Sequence, residues 1–260
     1  MTLRRYLIFT KCIIYVKIKQ QKEITENTMK TECQIAKKTK ITDTHVTMLL
    51  LVCTAIAVTI TGILFHQSVL RILPLYISMF ISLLQSRVNR YASLIGAFNS
   101  LLYAGVYIYY GLYASVLYAV LVSFPLQLVT FIRWNRNPYQ KSTVFRKMTV
   151  KQRLITALIA IAFWCGMLIV LKSLGSSHQI LDNTVTMLGI LNTVLMMLSY
   201  IEYTALMIPG NLFSIALYIA MIKESPEQIT YLIYTLFSGY CVVRAFFRAR
   251  KLYAEQNKKI

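Results

Sequence analysis

Acidic side chains are scarce in this 260-residue chain: nine Asp and Glu stand against 28 Lys and Arg. Glu23, Glu26, Glu32, Asp43, Asp182, Glu202, Glu224, Glu227 and Glu255 lie outside the apolar stretches or near their ends, as do His45, His66 and His178. Proton relays inside a bilayer are built from buried Asp, Glu or His, so the sequence offers no evident coupling to a proton gradient. It has no Walker loop, HExxH pair, GxSxG elbow or Asp-rich metal motif. ATP drive and familiar membrane catalysis therefore have no support, and the chain is expected not to be an enzyme. The five cysteines (Cys12, Cys33, Cys53, Cys165 and Cys241) are odd in number and scattered, without metal-ligand spacing. They read as small buried apolar residues, with no metal and no cofactor implied.

Charge of either sign is also thin, at 14% of residues, where soluble domains carry roughly a quarter. Apolar residues make up 57% and the mean hydropathy is +0.57. That is more apolar surface than one water-soluble core can bury. The chain is therefore expected to be an all-α integral membrane protein. Crossing ~30 Å of hydrocarbon takes about 20 mostly apolar residues. Stretches at about 46–65, 68–86, 91–110, 113–134, 154–172, 181–200, 203–222 and 227–247 meet that need, which predicts about eight transmembrane helices. With the amino terminus inside, the inside segments hold 10, 2, 7, 0 and 6 basic residues, 25 of the 28. Only Arg71, Lys172 and Lys223 fall elsewhere. This asymmetry follows the positive-inside rule and predicts both termini in the cytoplasm, in an inner (plasma) membrane. It also removes the need for nucleic acid to explain the net charge of +19. Residues 1–45 read as a floppy basic tail without a signal-peptide cleavage site, or as an over-extended start before Met29.

A shift of 112 residues superposes two halves. Arg90 and Tyr91 fall on Glu202 and Tyr203, Asn99 falls on Asn211, and Ala104 on Ala216. After a one-residue slip, Tyr118 and Phe124 meet Tyr231 and Phe237. Each unit holds three spans, so one linker span between them makes the units parallel, a known transporter plan with substrate held near mid-membrane. The implied organisation is a tail at 1–45, an extra span at 46–66, a first unit at 67–134, a basic loop and linker span at 135–180, a second unit at 181–247 and a basic tail at 248–260.

Polar side chains inside apolar spans usually face a cavity or another helix. Asn99, Gln127, Asn192 and Asn211 are the informative ones; Ser123, Thr186 and Ser214 carry less weight. Gln127 follows Pro125, and Asn211 follows Pro209 and Gly210, so each amide sits beside a helix breaker. The tyrosines at 103, 107, 109, 110 and 113 read as an interfacial belt, and Trp134 as a further interfacial anchor.

These residues resemble the family of PnuC-type nicotinamide riboside transporters over about 68–250. In SFPLQLVTFIRW, the residues Pro125, Gln127, Phe131 and Trp134 match the family's Pro-x-Gln-x-x-x-Phe-x-x-Trp pattern. In LDNTVTMLGIL and SYIEYTALMIPGNLFSIALYI, the matching residues are Leu181, Asp182, Thr186, Glu202 and Asn211. The resemblance implies a SWEET-like 3+1+3 parallel repeat with an extra N-terminal span. It also implies facilitated diffusion of nicotinamide riboside, trapped afterwards by a cytoplasmic kinase. Gln127 and Asn211 would bond the substrate, with Glu202, Asn99, Asn192 and Tyr203 as further site residues. The family's Trp two and five residues after the Glu are here Thr204 and Met207, so Met207 stands where a ring would stack and Tyr200 or Tyr203 is left to supply it. Thiamine, riboflavin or another nucleoside therefore remains an alternative cargo. A receptor or scaffold without cargo is a more distant alternative. The partners implied are a small molecule and the lipid bilayer, without nucleic acid, and a homo-oligomer is left open.

Overall fold

The computed structural model describes residues 45–109, 118–173 and 179–258. The amino-terminal tail before His45, and Tyr110 and Tyr113 of the expected belt, lie outside them. Helix α1 runs His45–Leu64, followed by α2 (Val69–Ser86) and α3 (Tyr91–Tyr109). A π-turn at Tyr118–Ser123 leads into α4 (Phe124–Arg136). A two-residue hairpin pairs β1 (Pro138–Tyr139) with β2 (Ser142–Thr143). Helices α5 (Val150–Ser173), α6 (Gln179–Met197), α7 (Glu202–Ile222) and α8 (Ile229–Asn257) complete the described chain.

Six of these segments are long and apolar enough to cross a membrane: His45–Leu64, Val69–Ser86, Val150–Ile169, Ile180–Met197, Glu202–Ile222 and Pro226–Asn257. Their outward faces carry the residues that water would reject. On α5, Leu154, Leu158, Ile159, Ile161 and Ile169 all point away from the protein, as hydrocarbon contact requires. The same exposure corrects the reading of the cysteines. Cys53 and Cys165 face outward and only Cys241 is buried among those described.

The helix ladder adjusts where proline enters it. Pro125 has no N–H to donate, and the bonding changes there from the wide π-turn to the α pattern of α4. Pro74 and Pro209, by contrast, lie within the unbroken helices α2 and α7.

Helices α2 and α6 both end in the same reversal. The Val88 N–H donates to Gln85 O (2.8 Å) and the Asn89 N–H to Leu84 O (3.0 Å). At the second corner the Ser199 N–H donates to Met196 O and the Tyr200 N–H to Leu195 O, both at 3.0 Å. This is the Schellman pattern, which needs a left-handed residue; Val88 (φ 52°) and Ser199 (φ 60°) take that conformation without being glycine.

The segment 137–149 ties these corners together. The Arg90 N–H donates to Lys141 O, the Arg146 N–H to Ser199 O, and the Ile201 N–H to Arg146 O. From the end of α8, Gln256 accepts the Phe145 N–H and donates to Thr143 O. Among the described residues, the corners at Val88 and Ser199, the 137–149 segment and the end of α8 thus meet at one end of the bundle. Under them lies a core of Val88, Trp134, Phe145, Met148, Leu195, Met196, Tyr203, Ala249 and Leu252. Trp134 is therefore no interfacial anchor. It is 1% exposed, and its Nε1 donates to Met196 O at 2.9 Å. Helix α8 also runs ten residues past the expected span end, because this core and the Gln256 bonds hold its last turns.

A second core of Val58, Leu75, Met79, Phe237 and Cys241 joins α1, α2 and α8. Across the bundle, α2 packs on α3, α3 on α4, α6 on α7 and α7 on α8; α2 also packs on α8, and α4 on α6. Helix α5 rests on α6 through Trp164, whose Nε1 donates to Thr184 Oγ1 and whose carbonyl accepts from Asn183 Nδ2.

Removing the Trp134 side chain leaves a cavity in the shared core and takes one of its two donors from the Met196 carbonyl, which keeps the Ser199 N–H. Trp134→Ala should lower stability by about 3–5 kcal/mol, read as a lower melting temperature in detergent, with Trp134→Phe losing markedly less.

Candidate functional site

The polar residues of the spans gather at two places. The first lies among α2, α3 and α4. Asn99 donates to Ser78 Oγ at 2.9 Å and to Pro74 O at 3.4 Å. Gln127 donates to Ser100 Oγ (2.9 Å) and Ser123 Oγ (3.0 Å), and those two hydroxyls are 2.8 Å apart. The Gln127 amide oxygen lies against Gly96, where a Cβ would collide with it. Gln127 thus fills a slot between α3 and α4, held by the hydroxyls of Ser100 and Ser123.

The second place lies among α6, α7 and α8. A cavity of ≈210 Å³ is lined by Asn192, Met207, Asn211, Ser214 and Ser238, with Val185, Leu188, Gly189, Leu206, Gly210 and Val242 around them. Its volume is below the roughly 300–1,000 Å³ of drug-sized ligand sites, and its mixture of apolar walls with a few polar groups is typical of them. Asp, Glu and His are absent from its lining. Asn211 Nδ2 donates to Thr235 O at 3.1 Å across to α8. A Cβ on Gly239 would come within 2.6 Å of the Asn211 Oδ1, so glycine there makes room for this amide.

Of the seven residues singled out by sequence, the structure brings Asn192, Met207 and Asn211 to one cavity. Gln127 and Asn99 belong to the other polar group. Tyr203 is buried between Trp134 and Phe145, with ring centroids 6.1 Å from each. Glu202 caps the basic segment: it accepts the Met148 N–H at 3.1 Å and pairs with Arg153 Nη2 at 2.7 Å. It borders a larger apolar groove of ≈330 Å³ between α5, α6 and α7, which shares Leu206 with the first cavity. Ser238 escaped the sequence reading, as did Ser78 and Ser100. Small hydroxyls inside spans are common, and only the adjacent Gly239 marks Ser238 in the sequence.

A multi-pass helical membrane protein with a small polar cavity set among its spans is the class these features define. The model of the family described as nicotinamide mononucleotide transporter matches residues 68–247, and the chain belongs to that family. Its members are transporters, not enzymes. The nicotinamide riboside transporter PnuC of Neisseria mucosa is 28% identical over 167 residues. The match takes in 60% of this chain and 63% of that relative's length. The crystal structure of the vitamin B3 transporter PnuC has a similar fold, with a TM-score of 0.66 at 22% identity, covering 80% of this chain and 90% of that one.

Adding one methyl group at Gly239 should push the Asn211 amide away from Thr235. Gly239→Ala is expected to cut uptake of the cargo about tenfold while the protein still purifies as a folded species, checked by transport and melting temperature together.

Proposed function

We propose that the chain carries nicotinamide riboside into the cytoplasm by facilitated diffusion. The observation that carries this reading is the cavity among α6, α7 and α8, where Asn211 and Met207 meet in a lining that holds no carboxylate. A carrier without a titratable group at its site has no means there to couple cargo to protons. The family and the relative's cargo give the substrate.

The motion follows from a parallel 3+1+3 arrangement in which all eight helices cross, as in SWEET carriers. In it, α2–α4 and α6–α8 are equivalent units, α5 is the linker and α1 the extra span. Three features support this. The third helix of each unit packs on the first helix of the other, α4 on α6 and α8 on α2. Matching left-handed corners occur at Val88 and Ser199. Both corners touch the same 137–149 segment, as parallel units require. Rocking of one unit against the other then exposes the cavity to either side. The basic end, with Arg146, Lys147 and Arg153, faces the cytoplasm of an inner membrane with both termini inside.

In this reading Gln127, Asn99, Asn192, Asn211, Met207, Glu202 and Tyr203 serve the cargo in different ways. Asn192, Met207 and Asn211 line its cavity, Gln127 and Asn99 brace the first unit, and Glu202 and Tyr203 hold the cytoplasmic end. Met207 favours one second reading. A thioether packs on aromatic faces more loosely than an indole stacks, so thiamine or riboflavin is the rival cargo on the same fold.

Purified protein in liposomes should take up labelled nicotinamide riboside saturably, at a rate indifferent to an imposed pH gradient. Asn211→Ala and Gln127→Ala should each abolish most of it. Uptake of thiamine or riboflavin alone would move the cargo and keep the mechanism. No uptake of any of the three by folded protein would overturn the transport reading.

A further inference from the structure

The amides within the spans are not equivalent once their bonds are traced. Asn99, Gln127, Asn183 and Asn211 each donate to a carbonyl or hydroxyl of a neighbouring helix. Asn192 does not: among the described residues no hydrogen bond involves its amide, and its Oδ1 is buried without a partner. Asn99 Oδ1 is also unpaired, but the Asn99 Nδ2 is held by Ser78 and Pro74, away from the cavity. Asn192 projects from α6 into the lining shared with Met207, Asn211, Ser214 and Ser238.

A buried acceptor without a donor is unfavourable, and more so where no water or lipid headgroup reaches it. A fold that needed only packing at this point would be served better by leucine. The Asn192 Oδ1 borders a cavity of ≈210 Å³ and has no hydrogen-bond donor among the described residues.

We propose that Asn192 is the specificity-determining residue of the carrier, accepting a hydrogen bond from a neutral N–H or O–H group of the cargo. This rests on the transport reading above. The cargo donor completes an acceptor that is otherwise unsatisfied, so a ligand of the same shape without the donor is rejected twice over: it gains no bond and keeps the acceptor dry. Two groups of a nicotinamide riboside-like cargo carry such a donor, the carboxamide N–H and the ribose hydroxyls.

The test compares wild-type protein with Asn192→Leu and Asn192→Asp in proteoliposomes. Uptake of labelled nicotinamide riboside is competed with unlabelled nicotinamide riboside, nicotinic acid riboside and the 2′-deoxy analogue. Melting temperature without ligand is measured on the same samples. Asn192→Leu should raise the half-saturation concentration about tenfold or more while holding or raising the melting temperature. It should also erase the wild-type preference against one analogue. Loss of the preference against nicotinic acid riboside identifies the carboxamide as the donor, and loss against the 2′-deoxy analogue identifies the hydroxyl. Asn192→Asp keeps an acceptor and should keep that preference.

An unchanged half-saturation and an unchanged ranking in Asn192→Leu would overturn the proposal and leave the transport reading standing. Failure of Asn192→Leu to fold would overturn it as well, since the amide would then belong to the fold. Wild-type protein that takes up none of the compounds would overturn both.

Discussion

A polar group at membrane depth has only the protein to bond with, because hydrocarbon offers neither donors nor acceptors. Much of this structure follows from that constraint. Backbone groups close their bonds within helices, and most polar side chains find a carbonyl or hydroxyl on another helix or on the preceding turn of their own. Asn99 reaches Pro74 O, Asn211 reaches Thr235 O, and Thr130, Thr184, Thr193 and Ser214 bond back to the preceding turn of their own helices. These bonds set where helices touch. Gly96 and Gly239 lie where an amide needs the space, so small residues and amides act as one unit on facing helices.

The end of the bundle at 137–149 obeys a different rule. There the chain leaves the helices, and its backbone groups must be satisfied one by one. Lys141, Arg146 and Thr143 offer carbonyls to Arg90, Ile201 and Gln256, and Glu202 takes the Met148 N–H. Trp134, Phe145 and Tyr203 seal the space beneath. This end therefore joins the Val88 corner, α4, α6, α7 and α8 through a packed aromatic core. The cavity among α6, α7 and α8 adjoins it through Leu206 and Met207, which pack against the core, and is bounded further on by small residues such as Gly189 and Gly210 rather than by rings.

Much of the fold was legible before any coordinates. Hydrocarbon thickness dictates the length of a span, so apolar runs reveal helices directly. Val69–Ser86 and Glu202–Ile222 lie within a residue of the stretches read from sequence. Charge singled out the turn at Arg87 and Arg90, the 133–153 loop and the Glu202 turn, and among the described residues these lie together, bonded through the 137–149 segment. Helix ends were less legible: α8 continues to Asn257 because of Gln256 and the core below it, contacts made more than a hundred residues back along the chain.

For the site, the sequence by itself determined which polar residues stand in the spans, since an amide in an apolar run has few reasons to be there. It could not determine which of them the fold uses up. Gln127 and Asn192 look alike in one dimension. Only the tertiary structure placed Ser100 and Ser123 beside Gln127 and left the Asn192 Oδ1 without a donor. It likewise turned Trp134 inward, by setting the Met196 carbonyl, 62 residues away, within reach of its N–H. Hydrophobicity is a property of each residue and can be read along the chain. A hydrogen bond is a property of a pair, and the second member of the pair is known only when the chain has folded.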